Sequence, residues 1–146
     1  MAKSLIDLAS SLNKKANEIV KAASDLAVGT AFTIVGDLAI KTPVDTSKAI
    51  SNWQTDLNKA PANTIAPHYP GSDGSTFSAS AGETLLKAKI VLRNKKPGTD
   101  IYITNNLPYI KKLNEGSSKQ EPAGFAERAI LLGRKYRESR KGKFFK

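Results

Sequence analysis

Chemistry-bearing side chains are few and scattered in these 146 residues. The single histidine, His68, has no Cys, Asp or Glu beside it at a ligand spacing. It is therefore a poor metal or proton-transfer site, and a solvent-exposed loop histidine is the expected state. Asp45, Asp56, Glu83, Asp100 and Glu115 sit singly among turns and caps, not as a pair suited to acid–base work. No phosphate loop, nucleophile motif or metal-ligand spacing occurs. The absence of cysteine excludes disulfides, thiol catalysis and cysteine-ligated metals. It also suits a reducing compartment. The pattern predicts no enzyme, no cofactor and no metal.

Charge is more informative. Twenty-three Lys and Arg stand against 13 Asp and Glu, a net +10. Such a balance favours acidic partners: nucleic acid, an anionic membrane or an acidic protein surface. The end of the chain, 134–146, concentrates it: seven basic residues against Glu138. Arg134, Lys135, Arg137, Arg140, Lys141 and Lys143 are the candidate contacts to DNA or an acidic partner. Tyr136, Phe144 and Phe145 interleave with them, and aromatic rings can stack on bases while cations attract phosphate. The same residues also suit a solvated helix end, where cations complement the helix dipole.

These residues need elements to hold them. Leu5, Leu8, Leu12, Ala16, Ile19, Ala23 and Leu26, then Ile34, Val35 and Leu38, recur at helical spacing. Ser4 with Asp7 predicts a capped start, and Pro43 predicts the end at Thr42. One helix over about 4–40 would be roughly 55 Å long, against about 30 Å for a compact domain of this size. It would overhang its own body or pack on a neighbouring copy. A break near Gly29, giving two helices in one core, is the alternative, because glycine weakens a helix by about 1 kcal/mol.

Beyond Pro43, Asp45 or Thr46 can cap a short helical turn, with Ile50 and Trp53 facing inward. Trp53, Thr55 and Leu57 would share one face of a short strand. Trp53 reads as a core anchor, with an interface contact as the sharper alternative. The segment 59–80 has three prolines, two glycines and no periodicity. It predicts a long loop, either an arm that orders on a partner or plain disorder. Ser80 with Glu83 predicts a second capped helix through Leu92. Residues 101–105 read as a strand and 108–116 as a short helix stopped at Gly116. Pro122 suits the first position of a last helix, with Ala126, Ala129, Ile130, Leu132 and Gly133 inward. The fold class is α+β: one domain over 1–146, with a long N-terminal helix, a small antiparallel sheet packed by two or three further helices, and one long loop. The start of the chain lacks a signal-peptide core. Unbroken apolar runs are only a few residues, short of the roughly 20 that span a membrane. The expectation is a soluble protein made in a cytoplasm, with no membrane partner.

Two segments carry a resemblance. "TPVDTSKAISNW" resembles a Pro-Val-Asp-Thr-Gly-x-x-x-x-Ser-Trp pattern. "IYITNNLPYIKKLNEGSSKQEPAGF" resembles Asn-x-x-Pro-Tyr-Ala followed by Glu-x-Gly-x-Ser-x-Gln-Ala-Pro-x-Gly. In order and separation they are similar to the tail-completion family of tailed-bacteriophage neck and minor tail proteins. Pro43, Asp45, Thr46, Trp53, Asn105, Asn106, Pro108, Tyr109, Glu115, Gly116, Ser118, Gln120, Pro122 and Gly124 are the structural or interface residues so implied. Departures are Ser47 for glycine, Ile110 and Glu121 for alanines, and Asn114 where an acidic residue is common. The resemblance implies a virion structural protein without catalytic role, assembled in the host cytoplasm. It would form a homo-oligomeric ring, expected to hold six copies, between the portal-side connector and the tail tube or terminator, through which DNA passes. The turns at 105–109 and 115–122 would then set the angle between copies, since head-to-tail contacts close only at the right rotation. Asn105 and Asn106 would bond their own backbone at the strand end. A basic non-specific nucleic-acid-binding module is the competing expectation.

Overall fold

The computed structural model describes residues 4–144. Seven elements follow one another: α1 (Leu5–Lys41), α2 (Lys48–Ser51), β1 (Gln54–Leu57), α3 (Phe77–Leu92), β2 (Ile101–Thr104), α4 (Ile110–Asn114) and α5 (Phe125–Phe144). The fold is α+β.

α1 is one uninterrupted helix. Ser4 caps it: its hydroxyl accepts from Asp7 N–H at 3.1 Å, while the Asp7 carboxylate accepts from Ser4 N–H. Pro43 forces Thr42 out of helical geometry, to ψ 125°. Gly29 does not break the helix. A Cβ there would meet the Tyr136 hydroxyl of α5 at 2.3 Å and its ring at 2.7 Å, and one at Gly133 would meet Ile34 at 2.5 Å. These two glycines let α1 and α5 approach closely.

The core runs along the second half of α1. Ala39, Val44, Ile50 and Ala81 form one cluster, flanked by Phe77 and Leu85. Leu38, Phe125 and Ala129 form the other, with Ile34, Trp53, Ile103 and Leu113 packed against it. Every residue from Ser4 through Lys21 is exposed, so the first half of the helix overhangs the body as a free arm. Its apolar stripe is uncovered: Leu5 is 85% and Leu12 62% exposed. On α5, Ala129 and Gly133 are buried, but Ile130 and Leu132 are not. The inward face is narrower than the spacing predicts, because small residues do the close packing.

β1 and β2 pair antiparallel, Gln54 opposite Thr104 and Leu57 opposite Ile101. α3 begins at Phe77, earlier than expected, so Ser80 is not its cap. Ser80 is fully buried, and its hydroxyl exchanges 3.3 Å bonds with the backbone of Tyr69. α5 starts at Phe125, leaving Pro122 in the preceding turn and not at the helix's first position.

The segment between β1 and α3 is not an arm awaiting a partner. Buried Asn52 bonds both the N–H and the carbonyl of Ile65, at 2.8 and 2.9 Å. Ser51 Oγ accepts from His68 N–H at 2.9 Å. Backbone polar groups lying against a body need partners, and short side chains of that body supply them. His68 is consequently half-buried, not exposed. Burial, then the nearby Lys87, lowers its pKa below the ordinary value, against a smaller opposing pull from Glu83.

By length and composition α1 is the one helix among the described residues able to cross a membrane. Unbroken apolar runs do not reveal this, because scattered charged and polar residues interrupt the runs while the average over a longer stretch stays apolar. The half from Ser24 onward is packed into the body.

Candidate functional site

The two segments that carry the resemblance lie against each other. Gln120 reaches back 76 positions to Val44: its Oε1 accepts from Val44 N–H at 2.9 Å, and its Nε2 donates to Val44 carbonyl at 3.1 Å. An amide meeting a backbone in this two-point way fixes position and angle together. Ser118 helps aim Gln120 by accepting its N–H at 3.1 Å. Asn105 Nδ2 donates to Ala49 carbonyl at 2.9 Å, tying the strand end to α2.

Around this junction lies a groove of about 320 Å³, lined by Pro43, Asp45, Thr46, Tyr109, Ser118 and Gln120 among others. Pro43 is buried, whereas Asp45 and Thr46 are exposed. Partial burial raises the Tyr109 hydroxyl pKa. Neither Asp45 nor Thr46 makes a strong helix cap. Thr46 Oγ1 only meets Lys48 N–H at 3.4 Å, and Asp45 turns to the loop, accepting from Asp73 N–H at 2.9 Å. The residue ahead of α2 is Ser47, at φ 69°. That left-handed backbone is natural for glycine and accounts for the glycine of the motif pattern. Here the Ser47 hydroxyl bonds Thr76 Oγ1 at 2.7 Å.

Trp53 lies beneath, packed on the second core cluster, its Nε1 donating to Thr42 Oγ1 at 2.7 Å. It serves packing and is largely covered, though not fully buried. Asn105 accepts from Leu107 N–H at 3.2 Å and so bonds its own turn. Asn106 does not. Its amide reaches the loop instead, donating to Pro61 carbonyl at 2.8 Å. Pro108 is exposed beside Tyr109.

Glu115, Gly116, Pro122 and Gly124 stand apart, at the α4–α5 turn. Gly116, at φ 96°, ends α4 with paired bonds, Gly116 N–H to Leu113 carbonyl and Ser117 N–H to Lys112 carbonyl. Gly124, at φ 84°, then turns the chain into α5. Spacing did not single out Asn114, yet it holds this turn. Its Oδ1 accepts from Ala126 N–H at 2.9 Å, and its Nδ2 donates to both Glu127 oxygens at 3.0 and 2.8 Å. It acts as a capping residue borrowed from the previous helix. An acidic side chain could accept but not donate, so the asparagine suits Glu127. Two other departures also have partners: Ile110 packs on the core and Glu121 pairs with Arg128.

The cations Arg134, Lys135, Arg137, Arg140, Lys141 and Lys143 are all exposed on α5. Glu138 pairs with Arg137 and Lys141. Tyr136 is not free to stack on a base: it packs over Gly29 and under Arg140, whose guanidinium lies 5.5 Å from the ring. Phe145 and Lys146 lie outside the described residues, as does the side chain of Phe144. Among the described residues no group of three or more Asp, Glu, His or Cys is clustered to hold a metal.

No family model, curated protein or solved structure matches the chain.

Proposed function

We propose that this chain is a structural protein of the neck of a tailed bacteriophage. In this reading it acts in tail completion or as a terminator, in a ring between the portal-side connector and the tail tube. The observation that supports it is the two-point bond between Gln120 and Val44. The motif halves, distant in sequence, make one fastened junction, as residues with a shared structural duty should. The turns around it are built from side-chain-to-backbone bonds and leave a groove of mixed polar and apolar lining at the surface. This is machinery for holding an angle, which a closed ring of identical copies requires.

The exposed cations of α5 support a weaker second reading, contact with DNA. Within a ring the two are compatible, since side chains facing a channel would meet phosphate without reading sequence.

The test is assembly. Purified protein is mixed with connector and tail-tube proteins and followed by size analysis and imaging. The expected result is a ring that joins one or both. Persistent single copies that bind neither partner would overturn the reading. Pro108→Ala should impair joining more than it lowers the subunit's melting temperature; equal losses would undo the role given to the turns.

A further inference from the structure

Among the described residues the arm of α1 has no partner in its own chain, and the groove of the body has no occupant. The groove, about 760 Å³, runs along α1 from Val20 to Leu38 and is walled by α5 and the strand region near Ile101. At about 1.5 Å per residue that floor is roughly 27 Å long, and the arm from Leu5 to Lys21 roughly 24 Å. The lengths match. The faces match too: Leu5, Leu12, Ala16, Ala23, Ala27 and Ile34 lie within about 60° of one another at 3.6 residues per turn. One apolar stripe therefore leaves the groove and continues, uncovered, along the arm.

We infer that the arm of one copy lies in the groove of a second copy of this chain. The arm cannot fill its own groove, because arm and groove floor are successive parts of one uninterrupted helix. Charge does not oppose the same occupant. The arm, 5–21, carries Asp7 and Glu18 against Lys14, Lys15 and Lys21, a net of +1 in a chain of net +10, so two copies repel less here than elsewhere. Acidic and basic side chains share the arm, which therefore lacks the basic polar face with which a helix lies on an anionic membrane. Two copies placed antiparallel would each seat an arm in the other's groove, covering both stripes at once. The inference goes beyond the neck reading and uses nothing from it.

The full chain tests this. Sedimentation across a concentration series should show self-association. Leu8→Lys with Leu12→Lys on the arm, or Ile130→Glu at the groove wall, should each weaken it by about a hundredfold, since each puts charge into an apolar contact. All three positions are exposed, so far-UV dichroism, and melting at dilution where the copies are separate, should remain those of the parent. The cysteine-free background allows a second measurement. A Leu12→Cys copy mixed with a Thr99→Cys copy should cross-link to each other more than either does alone. A parent protein that stays single at every concentration would overturn the inference. So would self-association that survives both sets of substitutions, cross-links confined to like copies, or an arm that partitions into anionic phospholipid vesicles in preference to a second copy.

Discussion

The two halves of α1 have the same apolar rhythm and opposite fates. From Ser24 onward, Leu26, Ala31, Val35, Leu38 and Ala39 are buried; before it, Leu5, Leu8, Leu12 and Ile19 stand in solvent. Periodicity marks which face of a helix wants cover, not whether cover exists. Cover for the inner half comes from small residues of another helix: Gly133 and Ala129 of α5 let it settle against Ile34 and Leu38, while Gly29 accepts Tyr136. Among the described residues nothing comparable lies opposite the arm. The rest of the body is sealed differently, by buried short polar side chains such as Ser51, Asn52, Ser80 and Thr84 that bind nearby backbone.

The sharpest way to break this contrast is one pair of substitutions. Leu38→Ala should cost about 3 kcal/mol, since the site is 3% exposed and would leave a cavity. Leu12→Ala on the arm should shift single-copy stability by less than about 0.5 kcal/mol. Denaturant melts of dilute protein decide it; equal effects would mean the arm is part of the folding unit. Next comes overpacking. Gly133→Leu should destabilise by about 2 kcal/mol, because even a Cβ there collides with Ile34. An unchanged melting temperature would show that the α1–α5 approach is looser than described.

What could be read beforehand was local. The extent of α1 followed from its Ser4 cap and from Pro43, and β2 from its Ile-Tyr-Ile-Thr composition. Gly116 announced the end of α4. What could not be read was non-local. Gly29 as a helix breaker and Gly29 as a contact point are the same letter, and only Tyr136, far along the chain, separates them. Ser80 followed by Glu83 fits a cap as well as it fits a buried serine bonded to Tyr69. The loop looked free because its partners, Asn52 and Ser51, are ordinary polar residues with no spacing signal. The Gln120–Val44 junction was invisible for the same reason, although motif resemblance had marked both ends of it.

The α4–α5 turn allows a charge test of polar fastening, expected to be smaller than either packing change. Asn114 holds the Glu127 carboxyl below the usual carboxylate range, helped by Glu127's own backbone N–H. A depressed folded pKa adds stability above the unfolded value, and that stability is lost as pH falls through the folded one. Asn114→Asp removes the donor and sets two carboxylates face to face. It should lower the melting temperature at neutral pH, with the gap from the parent closing by about pH 3, where both carboxyls are protonated. A gap independent of pH would mean that the substitution acts through the geometry of the turn and not through charge, since an aspartate still accepts from Ala126 N–H.

The smallest effect tests whether polar fastening compensates strain within the body while leaving the arm untouched. Ser47 holds a left-handed backbone that costs a side-chain-bearing residue roughly 1–2 kcal/mol. Its bond to Thr76 returns roughly 0.5–1.5 kcal/mol. Ser47→Gly removes both, so stability should change by less than about 1 kcal/mol. Ser47→Ala keeps the strain and loses the bond, and should be about 1 kcal/mol less stable than the parent. Paired melts of the two variants separate the contributions. If alanine proves as stable as glycine, the left-handed backbone at position 47 carries no strain; if alanine proves as stable as the parent, the Thr76 bond compensates nothing.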